Sequence, residues 1–292
     1  MQTLSWLTSS ILIFCLITSS ANSQTLMSVE KLENYVKKKL KRNPSSLKLN
    51  EKPIGSPGAK FLSNYSLIKS VKTLTIYNCQ IGDDGVKALA NSILLKNLTK
   101  LSLEHNEITD KGIIYIANSD SLKNLSFLNL YRNKITDKGA KVLAEESKFV
   151  NLQELNLNYN LIRNKGVTWL KNSNKLKQLK NLNLAFNPLN KLGQSELFEF
   201  NMSRKLEAIY RSGKISQLNN QFIGNSGVIA LLNSPYVEKL KELNLEDNNL
   251  TDESVVAIAK SPKLKNLKTL TLAKNRITDI GALALARSKT LI

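Results

Sequence analysis

The chain contains one histidine and two cysteines, so few of its side chains could support nucleophilic or metal chemistry. Cys79 and His105 are the best candidate pair, because a thiolate nucleophile needs a nearby base. One histidine cannot build a multi-histidine zinc site, and two cysteines cannot build a four-thiolate site. We therefore expect no metal and no cofactor, and catalysis would depend on whether Cys79 and His105 meet.

The acidic residues offer no better catalytic candidate. Glu246 and Asp247 are adjacent, whereas Glu104, Glu154 and Glu242 are far apart in the sequence. No spacing indicates a carboxylate pair for acid–base catalysis or a calcium cage, and no glycine-rich loop of the phosphate-binding type occurs. The sequence therefore favours a protein that is not an enzyme.

A repeat with a period of 27 residues sets the positions of these side chains. Leucines at 98, 125, 152 and 179 open successive units, and a fixed period of this length indicates a stacked repeat architecture. The sixth unit has 34 residues, and its extra residues fall within 194–212, where we expect a longer helix or a secondary contact site. The nine units begin at residues 44, 71, 98, 125, 152, 179, 213, 240 and 267.

Each unit reads as a strand followed by a helix. The L-x-L segment predicts a short strand whose leucines point inward, and the later apolar spacing predicts a helix with one buried face. A polar ladder position, the ninth in the unit, is expected to bond neighbouring backbones, while Asp110, Asp137, Asp252 and Asp279 are expected to cap the helix that follows each of them. The ladder residues are Cys79, Asn106, Asn133, Asn160, Asn187, Gln221, Asn248 and Asn275.

This pattern resembles the leucine-rich repeat proteins of the ribonuclease-inhibitor-like type. Clear copies of L-x-x-L-x-L-x-x-N-x-I-T-D-x-G occur over 98–112, 125–139 and 267–281. The resemblance implies an α/β solenoid shaped as a horseshoe, with a parallel concave sheet, convex helices and a macromolecular partner. Among such proteins, bacterial secreted or host-directed members are the natural comparison. In this family cysteine is a known substitute for the ladder asparagine, which favours a structural role for Cys79.

The two ends of the chain differ from the repeats. Residues 1–23 lack charged side chains and combine an apolar run with small residues before Gln24, which predicts a signal peptide and export; an uncleaved membrane anchor is the alternative. Residues 24–43 predict a helical cap on the repeat domain at 44–292, although a basic amphipathic anchor would fit the same segment. The last unit lacks a comparable cap, so we expect an exposed end that could support oligomerisation.

The outward strand positions predict the contact surface. These are the third, fifth and seventh positions of each unit, with the eighth leaving the strand. Tyrosine and arginine among them favour a protein interface on the concave face, although aromatic residues also suit a strand surface. The predicted partner-binding residues are Tyr77, Glu104, His105, Asn129, Tyr131, Arg132, Asn156, Tyr159, Asn183, Phe186, Asn244, Glu246 and Asp247.

The formal net charge is +19, which by itself would indicate a nucleic-acid or anionic-membrane partner. The predicted concave face is nearly neutral, so nucleic acid is not the expected partner and the excess lysines fall on the cap, helices and loops. The main hypothesis is an exported protein-binding module, such as a bacterial effector or surface-interaction protein. The alternatives are a polyanion or membrane-surface binder using the basic convex side and, more remotely, a regulator of a small GTPase.

Overall fold

A computed structural model of the chain describes residues 25–291. The predicted signal peptide at 1–23 lies outside these residues. Within them, no helix is long and apolar enough to cross a membrane.

Helices and strands alternate along the described residues. Short 3₁₀ turns precede several strands, at Ser66–Ser70, Ile93–Leu95, Val237–Lys239 and Pro262–Leu264. The strands are β1 (Ser46–Asn50), β2 (Thr73–Tyr77), β3 (Lys100–Ser102), β4 (Phe127–Asn129), β5 (Glu154–Asn156), β6 (Asn181–Asn183), β7 (Glu242–Asn244) and β8 (Thr269–Thr271). The helices are α1 (Val29–Arg42), α2 (Gly55–Asn64), α3 (Gly82–Ala90), α4 (Asp110–Ala117), α5 (Asp137–Glu145), α6 (Asn164–Lys171), α7 (Lys191–Arg211), α8 (Gly224–Asn233), α9 (Asp252–Lys260) and α10 (Asp279–Ala286).

The strands form parallel sheets in chain order, as the predicted solenoid requires. Strands β1 to β6 make one sheet, and each residue pairs with the one 27 positions later, as Leu101 does with Leu128. Strands β7 and β8 make a second sheet. The seventh unit joins the second sheet through a single bridge between Gln217 and Asn244. The leucine-rich repeat fold is therefore confirmed, but its sheet is interrupted after β6.

The apolar core follows the same division. One cluster of buried side chains extends from Leu32 in α1 to Phe200 in α7. A second cluster begins at Met202, also in α7, and continues to Leu267. Helix α7, with 21 residues, thus contributes to both cores, in keeping with the longer helix expected for the sixth unit.

The ladder asparagines join adjacent units through buried amides. Asn133 Nδ2 donates to the carbonyl oxygens of Leu103 and Leu130, both at 3.0 Å, while its Oδ1 accepts the N–H of Ile108 at 3.0 Å. These bonds satisfy backbone groups that the turning chain removes from water. Amides of the same kind are provided by Asn106, Asn160, Asn187, Asn248 and Asn275.

Gln221 departs from the ladder prediction. Its backbone N–H donates to Asn248 Oδ1 at 3.2 Å, but its side chain is exposed and, among residues 25–291, has no hydrogen-bond partner. The cause is its place in the chain, because the seventh unit follows the interruption and, in the part of the chain that the structure describes, no strand pairs with it on its N-terminal side. The backbone of Gln221 is therefore bonded by the ladder amide of the next unit, but its own side chain does not act as a ladder amide for the preceding unit.

The prediction that each aspartate caps its own helix is wrong. In α5 the N-cap is Thr136, whose Oγ1 accepts the N–H of Lys138 at 3.2 Å. The carboxylate of Asp110, one unit earlier, accepts the N–H of Thr136 at 2.8 Å and that of Gly139 at 2.9 Å. Asp137 and Asp252 likewise serve the following unit, at Arg163 and Thr278, so this ladder links units rather than closing single helices.

The recurrent glycine leaves space for this carboxylate. A Cβ built on Gly139 would lie 2.5 Å from Asp110 Oδ1, closer than a carbon and an oxygen can pack. A Cβ built on Gly281 would likewise lie 2.6 Å from Asp252 Oδ1. Glycine is needed here for close approach of two units and not for an unusual backbone conformation.

Helix α1 covers the N-terminal end of the repeats. Its side chains Leu32, Val36 and Leu40 are buried in the first core, whereas Val29, at its first residue, is exposed. Tyr35 donates its hydroxyl to the carbonyl of Lys48 at 3.2 Å. The Lys52 ammonium lies 4.7 Å from the Tyr35 ring centroid, which gives the lysine at this ladder position a contact with α1.

Candidate functional site

The eighth residue of each unit adopts a left-handed conformation. This eighth position has φ between +50° and +58° in all nine units, although no glycine occupies it. Left-handed backbone costs a non-glycine residue about 1 kcal/mol, so the tertiary structure must enforce it. The turn sends the eighth side chain out at the rim of the sheet. These residues are Glu51, Asn78, His105, Arg132, Tyr159, Phe186, Asn220, Asp247 and Lys274.

Three predicted contact residues form a continuous aromatic stack at this rim. The rings of Tyr131 and Tyr159 meet edge to face with centroids 5.1 Å apart, and Tyr159 and Phe186 stack at 4.2 Å. Tyr159 is 40% exposed and Phe186 is 71% exposed. We call Tyr131, Tyr159 and Phe186 the aromatic track. The contacting rings hold each other in place, which lowers the entropy lost when a partner packs on them.

The N-terminal part of the predicted surface is more polar. Tyr77 and His105 lie with ring centroids 6.4 Å apart, and both are half-buried. Glu104 accepts hydrogen bonds from Ser102 Oγ, at 2.8 Å, and from the amide of Asn129. Arg132 is exposed at the next rim position. The rim therefore carries a tyrosine–histidine pair, a charged segment and then the aromatic track.

Three of the predicted contact asparagines have a structural task. The Oδ1 atoms of Asn129, Asn156 and Asn244 each accept, at 3.0 Å, the N–H two residues later. Asn129 is moreover buried, which corrects its assignment as a contact residue. Asn183, the equivalent residue of β6, is exposed and remains available at the surface.

The C-terminal part of the predicted surface is charged. Glu246 pairs with Lys274 of the next unit at 2.9 Å, and this hydrogen bond raises the pKa of Lys274. Asp247 lies half-buried at the neighbouring rim position. These residues belong to the second sheet and do not contact the aromatic track.

Cys79 and His105 do not form a catalytic pair in this structure. The Cys79 thiol is fully buried and lies 3.2 Å from the carbonyl oxygens of Leu49 and Tyr77. Burial raises the pKa of this thiol to about 11, so it is protonated near neutral pH. Cys79 thus occupies the ladder position as a hydrogen-bonding side chain. Within residues 25–291, no three residues of the His, Cys, Asp and Glu types are arranged to hold a metal ion.

Comparisons with known proteins agree with the repeat architecture. A profile described as leucine-rich repeats in two copies matches residues 238–285, and a single-repeat profile matches 69–90, 95–117 and 121–144. A search of curated proteins gives no significant match. Among solved structures, the chain is similar to an internalin from Listeria monocytogenes, with 21% identity and a TM-score of 0.33, over 86% of this chain and 68% of the internalin chain.

Proposed function

We propose that this leucine-rich repeat chain is an exported protein-binding module that recognises its partner through the rim and concave face of the first sheet. The repeats support a protein-interaction role in general. The observation that carries the more specific proposal is the aromatic track, because exposed and mutually packed aromatic rings are favoured anchors in protein interfaces.

The predicted signal peptide would place this module outside the cytoplasm, on the surface of a bacterial cell or at a host cell. A signal-peptidase test addresses this directly. We expect the full chain expressed in a bacterium to appear in the exported fraction with Gln24 as its first residue. Retention of residues 1–23 in a membrane fraction would favour the anchor alternative instead.

The concave-face proposal is tested by site-specific photo-crosslinking. A benzoylphenylalanine introduced at Tyr159 should capture a defined partner, whereas the same group at Ile93 should not. Ile93 is a matched control because it is 71% exposed but belongs to the turn before β3, away from the rim. Equal capture from both positions would contradict the proposed surface.

The contribution of the aromatic track to affinity is tested by measuring binding of the captured partner to variants of the chain. Phe186→Ser combined with Tyr159→Ser should weaken partner binding by about 2 kcal/mol or more, as expected for interface anchors. Phe222→Ser is the control, since this phenylalanine is 73% exposed in the second half of the chain. Undiminished binding by the double variant would exclude the aromatic track as the contact.

A further inference from the structure

The ladder of backbone hydrogen bonds between units stops after β6. In earlier units the sixth-position N–H donates to the next unit, as Leu157 does to the carbonyl of Asn183 at 2.8 Å. The eighth-position N–H does the same, as Tyr159 does to Ala185 at 2.9 Å. At β6 the equivalent donors are Leu184 and Phe186. Within residues 25–291, neither of these two N–H groups reaches an acceptor.

Helix α7 satisfies only one residue of this open edge. Asn201 Oδ1 accepts the N–H of Leu182 at 3.0 Å, and its Nδ2 donates to the Leu182 carbonyl at 2.8 Å. The side-chain amide thus replaces one residue of a neighbouring strand. In a β-strand, the backbone N–H groups that point to the same edge are two residues apart, and the open donors at Leu184 and Phe186 have this spacing.

An apolar cavity lies beside the two open donors. Its volume is about 360 Å³, and it lies between the end of β6 and the first half of α7. Leu184 is buried, so its unpaired N–H carries the cost of a polar group removed from water without a partner. A ligand with carbonyl oxygens at alternate residues and an apolar side chain would satisfy both features. The apolar side chains that line the cavity are Leu184, Ala185, Phe186, Leu189, Leu197 and Phe198.

A second cavity continues along β6 on the other side of Asn201. It has a volume of about 440 Å³ and shares Phe198 and Asn201 with the first. Its charged lining residues are all basic, namely Lys180, Arg204 and Lys205. Arg204 pairs with Glu207 at 3.2 Å, whereas, within residues 25–291, Lys180 and Lys205 donate only to uncharged oxygens, of Gln153 and Gln221, both at 3.0 Å. The start of β6 therefore favours a negative charge, and its end favours an apolar group.

We propose that this cleft, formed by the open edge of β6 and the first half of α7, binds an extended peptide segment of another protein as an added strand. The backbone carbonyl groups of the peptide accept from Leu184 and Phe186, as in strand addition to other exposed sheet edges. An apolar side chain enters the cavity beside Phe198, and an acidic side chain lies towards Lys180 and Lys205. A bound helix would not fit these donors, because its carbonyl groups are used internally.

The site is separate from the concave surface, although Phe186 belongs to both. The variant that alters the cleft therefore leaves the aromatic track intact. Phe198→Ser removes an aromatic ring that lines both cavities and is 38% exposed, so folding should tolerate the change. Phe222→Ser, the control, removes a ring that is 73% exposed in the second half of the chain, away from both cavities. Tyr131→Ser alters the aromatic track without touching the cleft.

The probe is a fluorescein-labelled pool of nine-residue peptides with apolar residues at alternate positions and an acidic residue ahead of them. The full chain should bind this pool in fluorescence polarisation. Phe198→Ser should weaken the binding about tenfold, as for loss of a buried aromatic contact, while Phe222→Ser and Tyr131→Ser should leave it within about twofold. Exchange of the Leu184 and Phe186 amide hydrogens should slow on saturation with the pool.

Two results would overturn the proposal. The first is an absence of binding by any peptide in the pool up to about 1 mM, which is weaker than a functional peptide site requires. The second is binding at a different place, shown either by unchanged exchange of the Leu184 and Phe186 amide hydrogens or by unchanged affinity of the Phe198→Ser variant. Loss of partner crosslinking at Tyr159 would contradict only the concave-face function, so the two proposals can fail independently.

Discussion

Units one to six and units seven to nine follow the same repeat pattern but reach different structures. The first group, which we call the N-terminal block, has six paired strands and a continuous core from Leu32 to Phe200. The second group, the C-terminal block, has two named strands, two isolated bridges and its own core from Met202 to Leu267. The comparison shows that a repeat motif specifies its unit, whereas the preceding unit decides whether that unit extends the sheet.

The two blocks also end differently. Helix α1 covers the first unit, so the leucines of β1 are completely buried. In the last unit Leu272 and Leu285 are only partly buried. The equivalent residues of the fourth unit, Leu130 and Leu143, are completely buried. A stacked repeat thus gains its burial from neighbours on both sides, as expected for a solenoid.

The largest expected effect comes from removing one ladder amide in each block. Asn133→Ala and Asn248→Ala each leave several buried backbone groups unpaired, at about 1–3 kcal/mol for each group, so each variant should lose about 3 kcal/mol or more. If the blocks unfold separately, each variant lowers the stability of its own block only. Hydrogen exchange during urea unfolding measures both blocks at once. A single shared transition that both variants shift equally would contradict the division.

Removal of the amide that closes β6 should have the next largest effect. Asn201→Ala leaves the N–H and carbonyl of the buried Leu182 unpaired, at about 1–3 kcal/mol for each group, which should destabilise the N-terminal block by about 2 kcal/mol or more. Glu199→Gln, at an exposed position of the same helix, is the control. Chemical denaturation with a probe in each block gives the result. An unchanged N-terminal block would mean that Asn201 does not stabilise the sheet edge.

Cys79 distinguishes the second unit of the N-terminal block from the units with asparagine. Burial raises its pKa from 9.0 to about 11, so the thiol stabilises the fold fully below pH 9 and loses that contribution as the pH rises towards 11. Denaturation curves of wild type and Cys79→Asn should therefore diverge over this interval. At pH 7, Cys79→Asn should be at least as stable as wild type and Cys79→Ala about 1 kcal/mol less stable. Parallel pH profiles for wild type and Cys79→Asn would show that folding does not raise the pKa of the Cys79 thiol.

The smallest expected effect concerns the inter-unit carboxylate of the C-terminal block. The Thr278 side-chain hydrogen bond lowers the pKa of Asp252 below 3.8. Its contribution to stability is therefore present above pH 3.8 and lost as the pH falls through the lowered pKa. Asp252→Asn should remove this acid dependence from the C-terminal block alone, measured by hydrogen exchange between pH 5 and 3. An identical acid profile in the variant would contradict this assignment.

Much of the fold could be predicted because the spacing between repeats gives the pairing register of their strands. The period of 27 residues places Leu101 opposite Leu128, and the structure has this pairing. The aromatic residues could be assigned to one surface because Tyr131 occupies the seventh position of its unit, which points outward, and Tyr159 and Phe186 occupy the eighth. Their mutual stacking could not, because the separation of two side chains depends on how far adjacent units are displaced and rotated.

Other roles required the three-dimensional contacts. Asp110 precedes a helical stretch in the sequence, yet its carboxylate serves Thr136 and Gly139 of the next unit. Asn129 occupies an outward strand position, yet its amide is occupied by the main chain and by Glu104. In both cases local spacing identifies a hydrogen-bonding group without identifying which of several nearby partners is oriented correctly.

The sequence by itself determined the leucine-rich repeat register, the strand–helix alternation and the ladder positions, since these depend on residue spacing within and between like units. The tertiary structure alone decided where the sheet stops. The extra residues of the sixth unit lengthen α7, and Asn201 then takes the place of a strand at Leu182. A helix and a strand can both satisfy the same backbone groups, and only their packing against β6 determines which one does so.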